Sequence, residues 1–339
     1  MTEGPRSVDG LDLKHRDRFL REVVEPCRPV VLRGLVNAWP LVAAGRLSPQ
    51  DVRDHLMPWD IGGQLDAFFG PPGIAGKYYY TQDLKGFNFE RRRMKFREAL
   101  NTLVDSLDLP HSPSVYMGSV PTDDFLPGFA ASNAMSLVEP TVSPRVWIGH
   151  AANVSAHYDA MDNLACVAVG TRRFTLFPPE CISRLYVGPV DHTMAGQPVS
   201  LAASSAPDKE RFPLFEDIRD QSLVVELQAG DALYLPKLWW HKVESTAKFN
   251  VLVNYWWDAF SGGPDAPYTS LLLSMITMAE RPLAERQAWK AFFDHYVFRT
   301  HGHPLAHLPP EQHGILGPLK PTNYGKLRAR VMHLLRGGK

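Results

Sequence analysis

Between residues 114 and 258 the chain repeats one local form. "SVYMGS", "RVWIG", "NLACVAVG", "RRFTLF", "LVVELQAGDALYLP", "WWHKVES" and "NVLVNYWW" are short β-branched or aromatic runs separated by Gly, Asp and Pro. No long helix fits between them, and strands at this spacing close into a barrel or jelly roll. The pattern predicts a mainly β core over 111–260. One stretch breaks the rhythm. Residues 183–217 are rich in Ser, Ala, Pro and Gly, which predicts a surface excursion.

The flanks read differently. Residues 1–110 are of mixed type and are expected to pack on the barrel as an α/β region. "RPVVLRGLV", 28–36, reads as a strand, closed by "NAWP". "MKFREALNTLVDSL", 94–107, puts Phe96, Leu100, Leu103, Val104 and Leu107 on one helical face. The charged run "ERRRMKFR", 90–97, reads as the solvated start of that helix. Residues 261–339 return to helix. In "PLAERQAWKAFFDHYVF", 282–298, Trp289, Phe292, Phe293, Tyr296 and Val297 recur at helical intervals. So aromatic a stripe is expected to pack on the barrel or on a second subunit, and a homodimer through these helices is the expectation.

Charge narrows the class. Lys and Arg balance Asp and Glu at 36 each, so no overall field draws the chain to nucleic acid or an anionic membrane. Cys27, Cys166 and Cys181 are odd in number and lack CxxC spacing, which argues against a disulfide framework or a structural zinc site. The polar start "MTEGPRSVDGLDLKHRDRF" has no signal-peptide core, no segment has the length of apolar residues a membrane helix needs, and a cytoplasmic location is expected.

One of the β runs begins unlike a core strand. "SAHYDAMDNL" sets His157 and Asp159 two residues apart, on the same face of an extended chain, with Tyr158 turned away into packing. An imidazole beside a carboxylate makes two positions of the two-histidine, one-carboxylate set used for non-haem Fe(II). The pair alone is weak, because a chain with 13 histidines meets His-x-Asp by chance, as at His15-Arg16-Asp17. A third group is available in "AGDALYLPKLWWHKVES". His241 starts a strand there, and a jelly roll lays remote strands side by side. Trp239 and Trp240 before it are expected to stiffen that wall against water.

"RPVVLRGL" with "WP", "KYYYTQDLKGFNFERRRMKF", "HYDAMDNL", "GTRRFTLFPPE", "PDKERFPLF", "GDALYLPKLWWHKVES" and "NVLVNYWW" occur in this order. The set resembles the cupin-like JmjC oxygenases, and among them most of all the asparaginyl hydroxylases and their bacterial relatives. The resemblance is patchy before residue 76 and dense from 141 to 257. It implies a double-stranded β-helix, Fe(II), 2-oxoglutarate as co-substrate and O2, with succinate and CO2 released. His157, Asp159 and His241 are the implied iron ligands. Arg172 falls where the family has a lysine that pairs with the distal carboxylate of 2-oxoglutarate, and Arg173 should face the other way. Asn163, Asn254 and Tyr116 match positions that hydrogen-bond the co-substrate. Val154 stands where the family has a threonine, so one hydroxyl contact is missing.

The same resemblance points to a protein or peptide side chain as substrate; a small molecule or a modified nucleotide is the alternative. The loop "VPTDDFLPGFAASNAMSLVEP", 120–140, is expected to border the pocket, with Asp123, Asp124 and Phe125 as substrate contacts. Two rival readings keep the barrel. A cupin enzyme without 2-oxoglutarate would show His-x-His and a nearby glutamate, absent after His157. A non-catalytic binding module would be supported only by Val154 and Arg172. His301, His303, His307 and His313 lie in a Pro/Gly-rich stretch and are expected to be a solvated tail, not a metal site.

Overall fold

Asp162–Val169 forms a strand buried at all of its positions, which happens when both faces of a sheet are covered. Leu164, Cys166 and Ala168 face one apolar cluster; Ala165 and Val167 face another. Those two clusters organise the first part of the molecule. The computed structural model describes residues 4–337 apart from 14, 82–83, 191–192, 194–195, 204–207, 262, 264 and 319. Gln82 and Asp83 of the "KYYYTQDLKG" motif and part of the 183–217 insert thus lie outside the described residues.

The described strands are β1 (Arg6–Asp9), β2 (Val30–Arg33), β3 (Gln64–Gly70), β4 (Lys77–Tyr78), β5 (Glu90–Lys95), β6 (Ser114–Pro121) and β7 (Arg145–Gly149). They continue with β8 (Ala152–His157), β9 (Asp162–Val169), β10 (Thr171–Phe177), β11 (Leu223–Gln228), β12 (Ala232–Leu235), β13 (Trp240–Ser245) and β14 (Asn250–Trp257). A nine-stranded sheet runs β1-β2-β12-β9-β14-β7-β6-β3-β5, and a five-stranded sheet runs β11-β10-β13-β8-β4. From β7 onward, successive strands divide between them as a jelly roll requires: β7, β9, β12 and β14 in the large sheet, β8, β10, β11 and β13 in the small one. The fold is the mainly β jelly roll that the run pattern predicts, and strands before residue 110 extend both sheets, β1, β2, β3 and β5 the larger and β4 the smaller.

Between the sheets, Val31, Ala165, Val167, Leu233 and Leu235 of the large one meet Phe174, Leu176, Val225 and Leu227 of the small one. Each Val, Leu or Phe among them contributes about 1.5–3 kcal/mol by leaving water. On the outer face of the large sheet, helices Pro40–Leu47, Pro49–Leu56 and Phe96–Asp105 contribute Leu41, Val42, Val52, Leu56, Leu100 and Leu103 to the other cluster. The turn from β9 to β10 depends on Gly170, at φ +78°, where a β-carbon would lie 2.4 Å from the Asn250 side-chain oxygen.

The charged run 90–97 differs from its expected form. Glu90–Lys95 is the exposed edge strand β5, paired with β3 from Phe69↔Glu90 to Gln64↔Lys95, and the helix begins only at Phe96. Long charged side chains suit an open sheet edge as well as a helix start.

The chain divides into two compact units, 1–259 and 260–339. The second holds helices Pro267–Met278, Leu283–Tyr296 and Pro321–Leu335. The first two of these bury no residue; Leu271, Ile276, Trp289, Phe292, Tyr296 and Val297 are all exposed. In the histidine-rich stretch of this unit His301 and His307 are exposed, as a solvated tail requires, whereas His303 and His313 are half-buried and hydrogen-bonded. The rings of His303 and His313 stack at 4.3 Å, and their Nε2 atoms lie 2.9 Å from the carbonyls of Leu316 and Leu308. Two imidazoles donating to carbonyls pin a Pro/Gly-rich loop that lacks a ladder of its own. No helix of the described residues is long and apolar enough to cross a membrane.

Candidate metal centre

Antiparallel pairing of β13 with β8 sets His241 directly opposite His157, and their rings stand 4.2 Å apart. Each ring is held from behind by the backbone carbonyl two residues before it. Nδ1 of His157 lies 2.9 Å from the Ser155 carbonyl and Nδ1 of His241 lies 3.0 Å from that of Trp239. A carbonyl only accepts, so each Nδ1 carries the proton and each Nε2 is left with a free lone pair. Burial, and next the proximity of His157, push the His241 pKa down to about 4, so this imidazole is neutral at pH 7.

Asp159 follows the end of β8 and completes the group. One Oδ2 lies 3.7 Å from Nε2 of His241, and one ligand atom from each of His157, Asp159 and His241 falls within 4.8 Å of the others. Among the described residues this is the one cluster of its kind. Tyr158 turns away and packs edge-on to Trp240 at 4.9 Å.

An amide relay orients the carboxylate. Asn163 Nδ2 donates to Asp159 Oδ2 at 3.2 Å, and Asn254 Nδ2 donates to Asn163 Oδ1 at 2.7 Å. Because an ionised carboxylate can only accept, this chain fixes both amides the same way round. It leaves Asn254 Oδ1 buried and without a partner. One N–H of Asn163 thus goes to the metal-side carboxylate, and the second N–H of the same amide is a further donor.

Arg172 supplies the opposite charge. It is 2% exposed, hydrogen-bonds Tyr116, and leaves Nε and Nη2 buried with no partner among the described residues. Burial lowers its pKa, and burial raises that of Tyr116. A buried guanidinium facing no carboxylate is costly, and two unspent donors side by side are the fork that a ligand carboxylate fits. Arg173, next along β10, is exposed on the other face.

These groups share one cavity of about 120 Å³. Its walls add Phe68, Tyr78, Phe89, Trp147, Val154 and Trp256, with Gln197 from the insert. The aromatic rim was readable only in part. Trp147 alternates with Val146 and Ile148, which face the helix side, so a period of two turns Trp147 inward. Phe68 and Phe89 carry no local signal, because strand pairing brings Phe68 beside Tyr116 and Phe89 packs on Phe68.

A sequence profile for the family described as "Cupin-like domain" matches residues 16–263. The chain belongs to the cupin-like JmjC family. Its relatives include tRNA wybutosine-synthesizing protein 5 of Gallus gallus, 33% identical over 74% of this chain and 76% of that protein. Lysine-specific demethylase JMJ32 of Arabidopsis thaliana is 26% identical over 71% of this chain and 78% of its own length. Lysine-specific demethylase JMJ31, also of Arabidopsis thaliana, is 35% identical over 33% of this chain and 20% of that protein. For three relatives the match covers only 20, 28 and 41% of their length.

Three expectations for this cupin-like JmjC site need correction. The loop 120–140 does not line the cavity: Leu126, Phe129, Leu137 and Val138 are buried in the helix-side core, Phe125 packs against it, and Asp123 bonds Ser143. Four apolar anchors make it a packed segment, and Asp123, Asp124 and Phe125 are not among the residues that line the cavity. The insert is more than a surface excursion. Val199 bridges to His157, Ser200 N–H donates to the Ala156 carbonyl at 2.7 Å, and Gln197 reaches the cavity. Trp239 and Trp240 stiffen the His241 wall from behind; the indoles that line it are Trp147 and Trp256.

Proposed function

We propose that this chain is an Fe(II)- and 2-oxoglutarate-dependent oxygenase that hydroxylates a side chain of a protein or peptide, using O2 and releasing succinate and CO2. One observation carries this: a two-histidine, one-carboxylate set shares a cavity with a buried arginine whose donors are unspent. The donor set fits the metal, since two imidazoles and one carboxylate are the non-haem Fe(II) combination. The unspent fork of Arg172 fits the co-substrate's distal carboxylate, and it argues against a cupin enzyme that uses no such acid.

When bound, iron and 2-oxoglutarate supply the oxidising chemistry. The chain's own work is placement. His157, Asp159 and His241 hold the metal, with the backbone carbonyls of Ser155 and Trp239 and the amide of Asn163 fixing their orientation. Arg172 and Tyr116 set the far end of the co-substrate. Val154, Phe174, Val243 and Leu252 keep the walls apolar and exclude water.

A modified nucleoside in tRNA is the second reading of the substrate, favoured by similarity over 74% of this chain to a protein named tRNA wybutosine-synthesizing protein 5. The aromatic rim of Phe68, Phe89 and Trp256 is compatible with a planar base. Exposed apolar side chains on the C-terminal helices support a homodimer, and three free thiols support a cytoplasmic location. The test is incubation with Fe(II), 2-oxoglutarate and air. Succinate should form, and a peptide pool should yield a +16 Da product. Absence of succinate overturns the oxygenase reading, and a +16 Da product found only in digested tRNA moves the substrate to the second reading.

A further inference from the structure

We propose that the ion pair of buried Asp162 with half-buried Lys237 is a positioning device for the metal triad, an inference that rests on the oxygenase reading of the site. Two of the three ligands depend on one corner of the chain, residues 236–239. The Leu238 N–H donates to the carbonyl of Asp159 at 2.8 Å, and the Trp239 carbonyl receives Nδ1 of His241 at 3.0 Å. Displacing this corner therefore displaces both ligands. The corner is not a relaxed turn: Leu238 sits at φ +68°, in the left-handed region that disfavours a residue with a β-carbon. Something outside it must hold it.

Asp162 does this. Its side chain is 1% exposed and gathers the corner and its neighbours. It accepts from the Tyr234 hydroxyl at 3.0 Å and the Ala259 N–H at 3.1 Å, and pairs with Lys237 Nζ at 3.2 Å. Lys237 Nζ also reaches Asp258, and the Trp239 indole donates to the Cys27 carbonyl at 3.2 Å. Asp162 opens β9, one residue before Asn163, whose amide holds Asp159 Oδ2. A single carboxylate thus couples the strand that orients Asp159 to the corner that orients His241. Burying a charge to pack a turn is poor value in stability, since an apolar pair serves as well. Fixing the relative place of two ligands is what the pair adds.

The experiment is anaerobic titration with Co(II), read by its visible absorption and without turnover. Lys237→Met and Asp162→Asn are compared with wild type and with Asp231→Asn, whose carboxylate ties Arg33 and Gly34 at a turn outside the cavity lining. Both clamp variants should raise the Co(II) dissociation constant roughly 10- to 100-fold and shift the absorption bands. Asp231→Asn should lower thermal stability and leave affinity and bands alone. If Asp162→Asn fails to fold, Lys237→Met decides, because that side chain is 23% exposed and its loss leaves no large void. A folded Lys237→Met with wild-type affinity and spectrum overturns the inference. So does an equal loss in Asp231→Asn, which would mark general loosening. Wild type that binds no Co(II) instead overturns the metal reading itself.

Discussion

Tyr116, on β6 of the nine-stranded sheet, hydrogen-bonds Arg172, on β10 of the five-stranded sheet, inside the jelly roll. The bond joins the two walls of the cavity, and both residues are buried. It also pre-sets the guanidinium. With one edge held by a phenol oxygen, the unspent Nε and Nη2 stay in a fixed plane awaiting an acceptor.

Removing that fork should cost co-substrate binding. Arg172→Ala is expected to raise the 2-oxoglutarate Michaelis constant and its calorimetric dissociation constant, since hydrogen bonds to charged groups contribute about 1.5–3 kcal/mol, or roughly 10- to 100-fold. Arg172→Lys should recover part of the loss, as a point charge without the fork. Unchanged constants in Arg172→Ala would move the anchor elsewhere in the cavity.

At the metal, Asp159→Ala should abolish succinate formation with or without a prime substrate. Asn163→Ala should keep some turnover but bind Fe(II) about tenfold more weakly, because Asp159 loses the amide that orients it. Equal succinate output from wild type and Asp159→Ala would reject the ligand assignment.

How much of this was legible follows from what is local. His157 and Asp159 could be paired from a period of two, and the short runs 114–258 from their turn residues. His241 opposite His157 is a register fact, visible in sequence only through the family motifs. The same holds for Phe68 beside Tyr116 and for the Val199 bridge to His157; no local pattern names a partner strand. Loop 120–140 misleads for the opposite reason. Its two aspartates draw the eye, while Leu126 and Phe129, which decide its burial, look like ordinary loop apolars. Residues 90–95 carry charges on both faces, so neither a helical nor a strand period is printed in them.

Acidity should loosen the scaffold through His150. Its Nδ1 accepts the Val115 N–H at 2.9 Å, next to Tyr116, and burial holds its pKa below the usual histidine range. With the folded pKa depressed, the unfolded chain takes up the proton first. The contribution is therefore complete above about 6.5 and is lost as pH falls below that value. His150→Gln keeps an acceptor but does not titrate. The stability gap between wild type and this variant, from urea melts, should narrow as pH drops from 7 to 5. A gap independent of pH would show that His150 does not carry the effect.

The C-terminal helices should assemble the chain in solution. Trp289 and Phe292 are 44% and 58% exposed and their rings lie 6.1 Å apart, on a helix that buries no residue of its own. A contiguous aromatic face of this kind is costly to leave in water, and a second copy presents the identical face to it. Trp289→Glu with Phe292→Glu places two like charges at the centre of any such contact and removes nothing from a core. The expected outcome by light scattering is a dimer for wild type and a monomer of unchanged helix content for the double variant. A dimer that survives both charges would place the interface on another surface, and a wild-type monomer would remove it altogether.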